Sequence, residues 1–186
     1  MAYTIIPPPQ EKLFCSLDFF IGICYNKLEQ MHGRRIDMEN VRAIADWFLN
    51  KEEMTHKKLQ KLCYYAQAWY CALYGGDPLF EDEIQAWVHG PVVISLYPEY
   101  KSYRWNPIPK KENAPHFPER VTAVLDAVWD AYGAYTGDQL ELLTHSENPW
   151  KDARGNLEPW QDCTTPISCT AMRTYYGHKY DQCENG

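Results

Sequence analysis

The stretch Met54-Thr55-His56-Lys57-Lys58-Leu59-Gln60-Lys61-Leu62-Cys63-Tyr64-Tyr65-Ala66-Gln67-Ala68-Trp69 decides the fold. Thr55 is a good helix N-cap, because its hydroxyl can accept from a backbone N–H that the first turn leaves unpaired. Leu59, Leu62, Cys63, Ala66, Trp69, Tyr70 and Leu73 then recur at three- and four-residue steps, the spacing of one helical face. Gly75-Gly76 ends this long helix. Upstream, Asp37 is the expected cap of a shorter helix carrying Val41, Ile44, Ala45 and Phe48, ended by Lys51-Glu52-Glu53. Downstream the period changes to two. Ile84, Ala86 and Val88 alternate within Phe80–His89, which predicts a strand. Gly90-Pro91 breaks it, and Pro91 is read as the start of a third helix with Val92, Val93, Leu96, Tyr97 and Tyr100, kinked or shortened by Pro98.

The rest of the chain follows the same grammar. Residues 101–118 hold four prolines and predict a long loop. Pro118 opens a helix to about Tyr132, striped by Val121, Val124, Leu125, Val128 and Tyr132. Thr136 or Asp138 caps a shorter one with Leu140, Leu142 and Leu143, which Asn148-Pro149 terminates. Trp150 to Thr164 predicts a loop, and Pro166 starts a last helix to about Tyr180. The expectation is a mainly α fold, a compact bundle of about five to six helices with one short β element. Residues 1–36, with Pro7-Pro8-Pro9 and a short helix within Leu13–Leu28, read as an N-terminal extension. Residues 37–180 read as the domain and 181–186 as a tail.

Composition bounds the function. The chain has 186 residues, with 18 Lys+Arg against 25 Asp+Glu, a formal net charge of −7. That length suits one domain with a core of its own. An acidic balance argues against nucleic acid as a partner, since binding it requires basic surface to displace counterions, and against an anionic lipid surface. Asp18 interrupts the longest apolar stretch, Leu13 to Asn26, so no membrane span is expected there. The seven cysteines form no CxxC pair and are odd in number, which suggests reduced thiols and a cytoplasmic setting.

No GxxxxGK, GxGxxG, HExxH or GxSxG motif is present. Three weaker constellations remain. Cys163, Cys169, His178 and Cys183 are soft ligands of the kind zinc prefers, but their spacing is wider than in most structural zinc sites, so they are weak metal candidates; no cofactor is expected. Cys63 or Cys71 with His89 or His145 would make a nucleophile–base pair, although Cys63 on an apolar stripe reads more simply as a small buried hydrophobe. His56, Lys57, Lys58 and Lys61 cluster at a helix start, where cations oppose the macrodipole; they read most simply as a solvated face, and otherwise as an internal ion pair or a contact for nucleic acid or an acidic partner.

Three blocks carry a resemblance. The first is the quoted stretch, with Leu59, Gln60, Lys61, Leu62, Tyr65, Gln67 and Trp69. The second is Ile84-Gln85-Ala86-Trp87-Val88-His89-Gly90-Pro91-Val92-Val93 followed by Leu96-Tyr97. The third is Leu143-Thr144-His145-Ser146-Glu147-Asn148-Pro149-Trp150 with Ala153-Arg154. Together, and in this order, they resemble the Panacea domain, also described as the SocA-like antitoxin domain of bacterial and prophage toxin–antitoxin systems. The resemblance implies a mainly helical fold with a small β-hairpin. It also implies a non-enzymatic antitoxin that binds and neutralises a protein toxin encoded beside it. One branch of that family acts as a proteolytic adaptor that hands its toxin to a Clp-type protease, so an adaptor or phage accessory protein binding a host protein is the alternative reading. Residues 1–36 and Pro98 depart from the family pattern.

Physically, Leu59, Leu62, Tyr65, Ala66 and Trp69 read as core, and Gly90-Pro91 as a strand-to-helix turn. His145 and Trp150 flank a helix stop, and His89 and His145 could meet in a polar notch. Candidate partner anchors are the aromatics outside the helical stripes, Tyr64, Trp87, Tyr103 and Trp105.

Overall fold

The computed structural model describes residues 38–184. Its centre is the helix predicted from the quoted stretch, α2 (His56–Leu73), capped by the Thr55 hydroxyl. Every residue from Lys58 to Cys71 is buried, because the other helices surround it. α1 (Val41–Lys51) packs on one side, buried through Val41, Ile44, Ala45 and Phe48 as its stripe predicts. Its cap is Asn40, whose side chain accepts from the Arg42 N–H; the expected cap, Asp37, lies outside the described residues, as do the calls on 1–36. α4 (Glu119–Tyr132) buries its predicted stripe against α2. α5 (Gly137–Ser146) also packs on α2 and begins with a capping box, Thr136 and Gln139 each bonding the other's backbone N–H. The last helix, α7 (Cys169–Glu184), packs on α2 over the part from Tyr64 to Cys71.

Two short antiparallel pairs complete the fold. β1 (Met54–Thr55) pairs with β4 (Pro107–Ile108), inside the stretch predicted as loop. β2 (Ile84–Trp87) pairs with β3 (Gly90–Val93) in a hairpin that aligns Ile84 with Val93 and Trp87 with Gly90. Here the structure corrects the reading of Pro91 as a helix start. Pro91 sits in β3 opposite Ala86, and Val92-Val93 continue the strand. A two-stranded sheet has only edge strands, so the missing Pro91 N–H costs no ladder bond. The helix begins later, as α3 (Tyr97–Tyr100) with Pro98 in its first turn, followed by a 3₁₀ turn over Lys101–Tyr103. Pro98 therefore starts a helix and does not kink one.

Asn148-Pro149 behaves likewise. It ends α5 but also begins α6 (Asn148–Arg154), where a loop was expected. Pro166 opens no helix: it bridges Gln85 beside the hairpin, and α7 starts three residues later and runs past Tyr180. Seven α-helices are present among the described residues, one or two more than expected, and the architecture is mainly helical as anticipated.

The core is unusually aromatic. Tyr65 and Tyr132 stack at 3.9 Å and 8°, and the Trp69 Nε1–H donates to the Tyr132 hydroxyl at 3.1 Å. Tyr64 and Tyr176 complete the cluster, their hydroxyls 3.3 Å apart. Such rings bury large areas while their polar tips find partners within the cluster.

Candidate functional site

The hairpin is held to α2 by side chains that act in place of strands. Gln60 accepts from the Val93 N–H at 2.7 Å and donates to its carbonyl at 3.3 Å, an imitation of a strand neighbour that closes the outer edge of β3. Gln67 does the same for the chain before the hairpin, accepting from Leu79 and Phe80 N–H and donating to the Phe80 carbonyl. The outer edge of β2 is closed by backbone bonds from Ala86 N–H to Thr165 and from Ile167 N–H to Ile84. Arg154 donates to the carbonyls of Ala86, Glu158, Pro159 and Gln161, tying the hairpin to the loop after α6. Trp150 lies over the core edge and its Nε1–H donates to the Trp87 carbonyl at 2.9 Å.

Lys61 and Gly90 explain each other. Lys61 is 1% exposed and its ammonium donates to the Pro91 carbonyl at 3.1 Å. It fits because residue 90 has no Cβ: one built there would stand 2.6 Å from Lys61 Cε and 2.9 Å from Thr144 Oγ1. Gly90 also holds φ +92°, a backbone state that side chains disfavour. Burial lowers the Lys61 ammonium to about 7, with Glu141 opposing and Lys57 assisting.

A second buried charge stands just past the C-terminal end of α5. Glu147 is 1% exposed and accepts from the hydroxyls of Tyr65 and Tyr176, with Lys179 paired to it at 3.3 Å. Burial raises its carboxyl above the usual range, although Lys179 and the hydrogen bonds oppose this.

In front of the hairpin lies an open cleft of about 770 Å³. Its walls come from the start of α2, the hairpin turn, the segment from Tyr97 to Trp105 and the loop from Trp160 to Thr164. The lining is cationic and aromatic: Lys57, Lys61, Lys101 and Arg104 stand with Trp87, Tyr97, Trp105 and Trp160, and Asp162 is the one acid among them. Trp105 and Trp160 are 76% and 73% exposed. Lys57 pairs with Asp138 and Glu141 behind the wall and sits 5.6 Å from the Trp105 ring. His89 Nδ1 lies 2.9 Å from Glu141 Oε1. Burial pushes Glu141 up, but its bonds to Lys57 and His89 prevail and hold it below the usual carboxylate range. Burial, with Lys61 close by, lowers His56 to about 4.

A family model described as the SocA-like antitoxin, Panacea domain, matches residues 59–151, half of the chain. The chain belongs to this family. Neither curated proteins nor solved structures give a significant match. The match begins at Leu59 and ends at Trp150 and its neighbour, so the Panacea region holds α2, the hairpin and the α5–α6 corner, while α7 and the Trp160 wall of the cleft lie beyond it.

Within the Panacea fold, Leu59, Leu62, Tyr65 and Trp69 are core, Leu96 is buried and Tyr97 packs edge-on against Trp87. Pro149 is buried and Ser146 caps its own turn by donating to the Leu143 carbonyl. His145 stacks on Trp150 at 3.9 Å and 14°, with its Nε2 buried and unpartnered, so it does not bond the helix-end carbonyls; burial lowers it to about 4. Glu141 touches His89 and raises His145 electrostatically, so the two histidines flank one carboxylate.

Other expectations need correction. Tyr64 is no surface anchor: it is fully buried between Tyr65 and Tyr176. Trp87 and Tyr103 are half-buried, which leaves Trp105 as the exposed member of that set. The basic cluster is not a solvated face, since Lys58 and Lys61 are buried; it follows the ion-pair alternative, with Lys57 on Asp138 and Glu141 and Lys58 on Glu52 and the Gly133 carbonyl. Neither Cys63 nor Cys71 hydrogen-bonds His89 or His145 among the described residues. Burial pushes the Cys63 thiol far above its ordinary range, and a hydrogen bond with Cys169 does the same to Cys71. That bond in turn lowers Cys169 to about 7. No metal-sized cluster of His, Cys, Asp or Glu forms among the described residues. Cys163 sits by Ala153 and Thr165, Cys169 by Cys71 and Gln67, and the side chain of Cys183 lies outside the described residues.

Sequence reasoning missed Lys101, Arg104, Glu141 and Trp160. Trp160, a tryptophan in a polar loop after Gly155, was the one visible signal.

Proposed function

We propose that this Panacea protein is an antitoxin that neutralises a cognate protein toxin by direct binding, without chemistry of its own. Membership of the SocA-like antitoxin family carries the reading. The mouth of the cleft suits it as a contact face, because Trp105 and Trp160 stand exposed on a surface that is otherwise rich in charge. Tryptophan is among the side chains that most often anchor interfaces. The toxin would be encoded beside this chain, and the complex would form in the cytoplasm. No helix among the described residues is long and apolar enough to cross a membrane.

The test is expression of the neighbouring gene's product with and without this chain. Growth arrest by the product alone, relieved by this chain and restored when Trp105→Ala and Trp160→Ala are combined, supports the reading. A product that is harmless alone, or that stays toxic with this chain present, refutes it.

A further inference from the structure

The cleft has chemistry that a protein-contact face does not need. A buried ammonium is costly, and Lys61 holds one with a carbonyl as its hydrogen-bond acceptor and no carboxylate bonded to it. Lys101 and Arg104 add two exposed cations on the same wall, with no acid paired to either among the described residues. In a chain of net charge −7, this concentrates positive charge where an anion would enter. Arg104 also carries φ +54°, the one positive φ outside glycine among the described residues. A bulky residue held there stores strain, and such strain gathers at ligand sites. The strained residue sets the direction of the chain into Trp105, so the cation and the ring reach the cleft together.

The shape selects among anions. Free strand edges would suit an extended peptide, but both hairpin edges are already closed, β3 by Gln60 and β2 by the 165–167 segment. What remains is flat aromatic surface beside point charges, in a volume that fits a small molecule. Aromatic faces take a planar heterocycle, and lysine and arginine take phosphate oxygens.

We propose that the cleft binds a nucleoside phosphate, its base stacked on the exposed tryptophans Trp105 and Trp160 and its phosphates held by Lys101 and Arg104, with the buried Lys61 behind them adding to the positive field. This goes beyond the antitoxin reading and does not depend on it.

The full chain is titrated with ATP, adenosine and inorganic pyrophosphate, followed by calorimetry and by tryptophan fluorescence. ATP should saturate one site with Kd roughly between 1 µM and 1 mM, the range such contacts support. Adenosine and pyrophosphate, each lacking half of the contacts, should bind roughly tenfold or more weakly. The pair Lys101→Glu and Arg104→Glu should weaken ATP roughly tenfold or more, and Trp160→Ala roughly fivefold or more. These residues are exposed, so circular dichroism should show the fold retained. Four results would each overturn the proposal. These are no saturable binding of ATP, GTP, CTP or UTP at about 1 mM; pyrophosphate binding as tightly as ATP; folded variants that bind like the parent; or binding of an acidic tryptophan-bearing peptide where no nucleotide binds. Toxin neutralisation is scored separately, so either reading can fail alone.

Discussion

Replacing Lys61 by methionine should make the protein more stable, and by an amount that depends on pH. Methionine keeps the length and most of the apolar stem and removes the charge. The ammonium falls from an ordinary 10.5 to about 7 on folding. Between those values the unfolded chain holds a proton that the folded chain has shed, so this group's penalty is complete below pH 7 and fades as pH rises toward 10.5. At about 1.4 kcal/mol per unit, the penalty is about 4 kcal/mol near pH 7 and about 1.5 kcal/mol less near pH 8.5. The Pro91 carbonyl loses its donor in the variant, which costs about 1 kcal/mol. The net gain for Lys61→Met is then about 3 kcal/mol near pH 7 and about 1.5 kcal/mol near pH 8.5. Urea titrations of both proteins at the two pH values measure it; the midpoint should rise by about 1.5 M near pH 7. A variant less stable than the parent, or a gap that does not narrow with pH, would refute the reasoning that Lys61 is a buried charge held at a cost.

Three further outcomes follow from named contacts. Gly90→Ala should cost roughly 2 kcal/mol from φ strain and the 2.6 Å approach to Lys61, and about 1 kcal/mol less in a Lys61→Ala background, read as a double-mutant cycle by urea unfolding. Glu147→Ala should cost roughly 3–5 kcal/mol by the same assay, since it orphans the Tyr65 hydroxyl, takes the nearer of two partners from Tyr176 and leaves Lys179 without its carboxylate. Stability should fall as pH drops from 6.5 toward about 4, because His56 and His145 take up protons in the unfolded chain before they do so in the folded one. A melting temperature followed over that window should drop less in His145→Gln, which leaves one such group; an unchanged profile would contradict the assignment.

The helices were legible because their stripes are local. Val41, Ile44 and Phe48, or Val121, Leu125 and Val128, declare a buried face without help from the rest of the chain. Gly90-Pro91-Val92-Val93 was not legible, because glycine followed by proline reads equally as a helix start or as an edge strand. What decides it is Gln60, thirty-three residues away, presenting its amide to Val93. Proline misled in the same way at Asn148-Pro149, where Glu147 closes one helix and the proline sits in the first turn of the next. The polar members of the three blocks, Gln60, Lys61, Gln67, Glu147 and Arg154, looked like surface or motif residues. They are clamps on backbone atoms or buried charges, and only the folded contacts show it. The cleft draws on four segments spread over a hundred residues, so no window of sequence contains it.

Neutralisation by direct binding is tested by co-purification of this chain with the product of its neighbouring gene, paired with growth rescue. A stable complex that relieves toxicity is expected, with both lost together when Trp105 and Trp160 are replaced by alanine. Rescue that persists without a complex, or a complex that leaves the product toxic, would contradict neutralisation by direct binding.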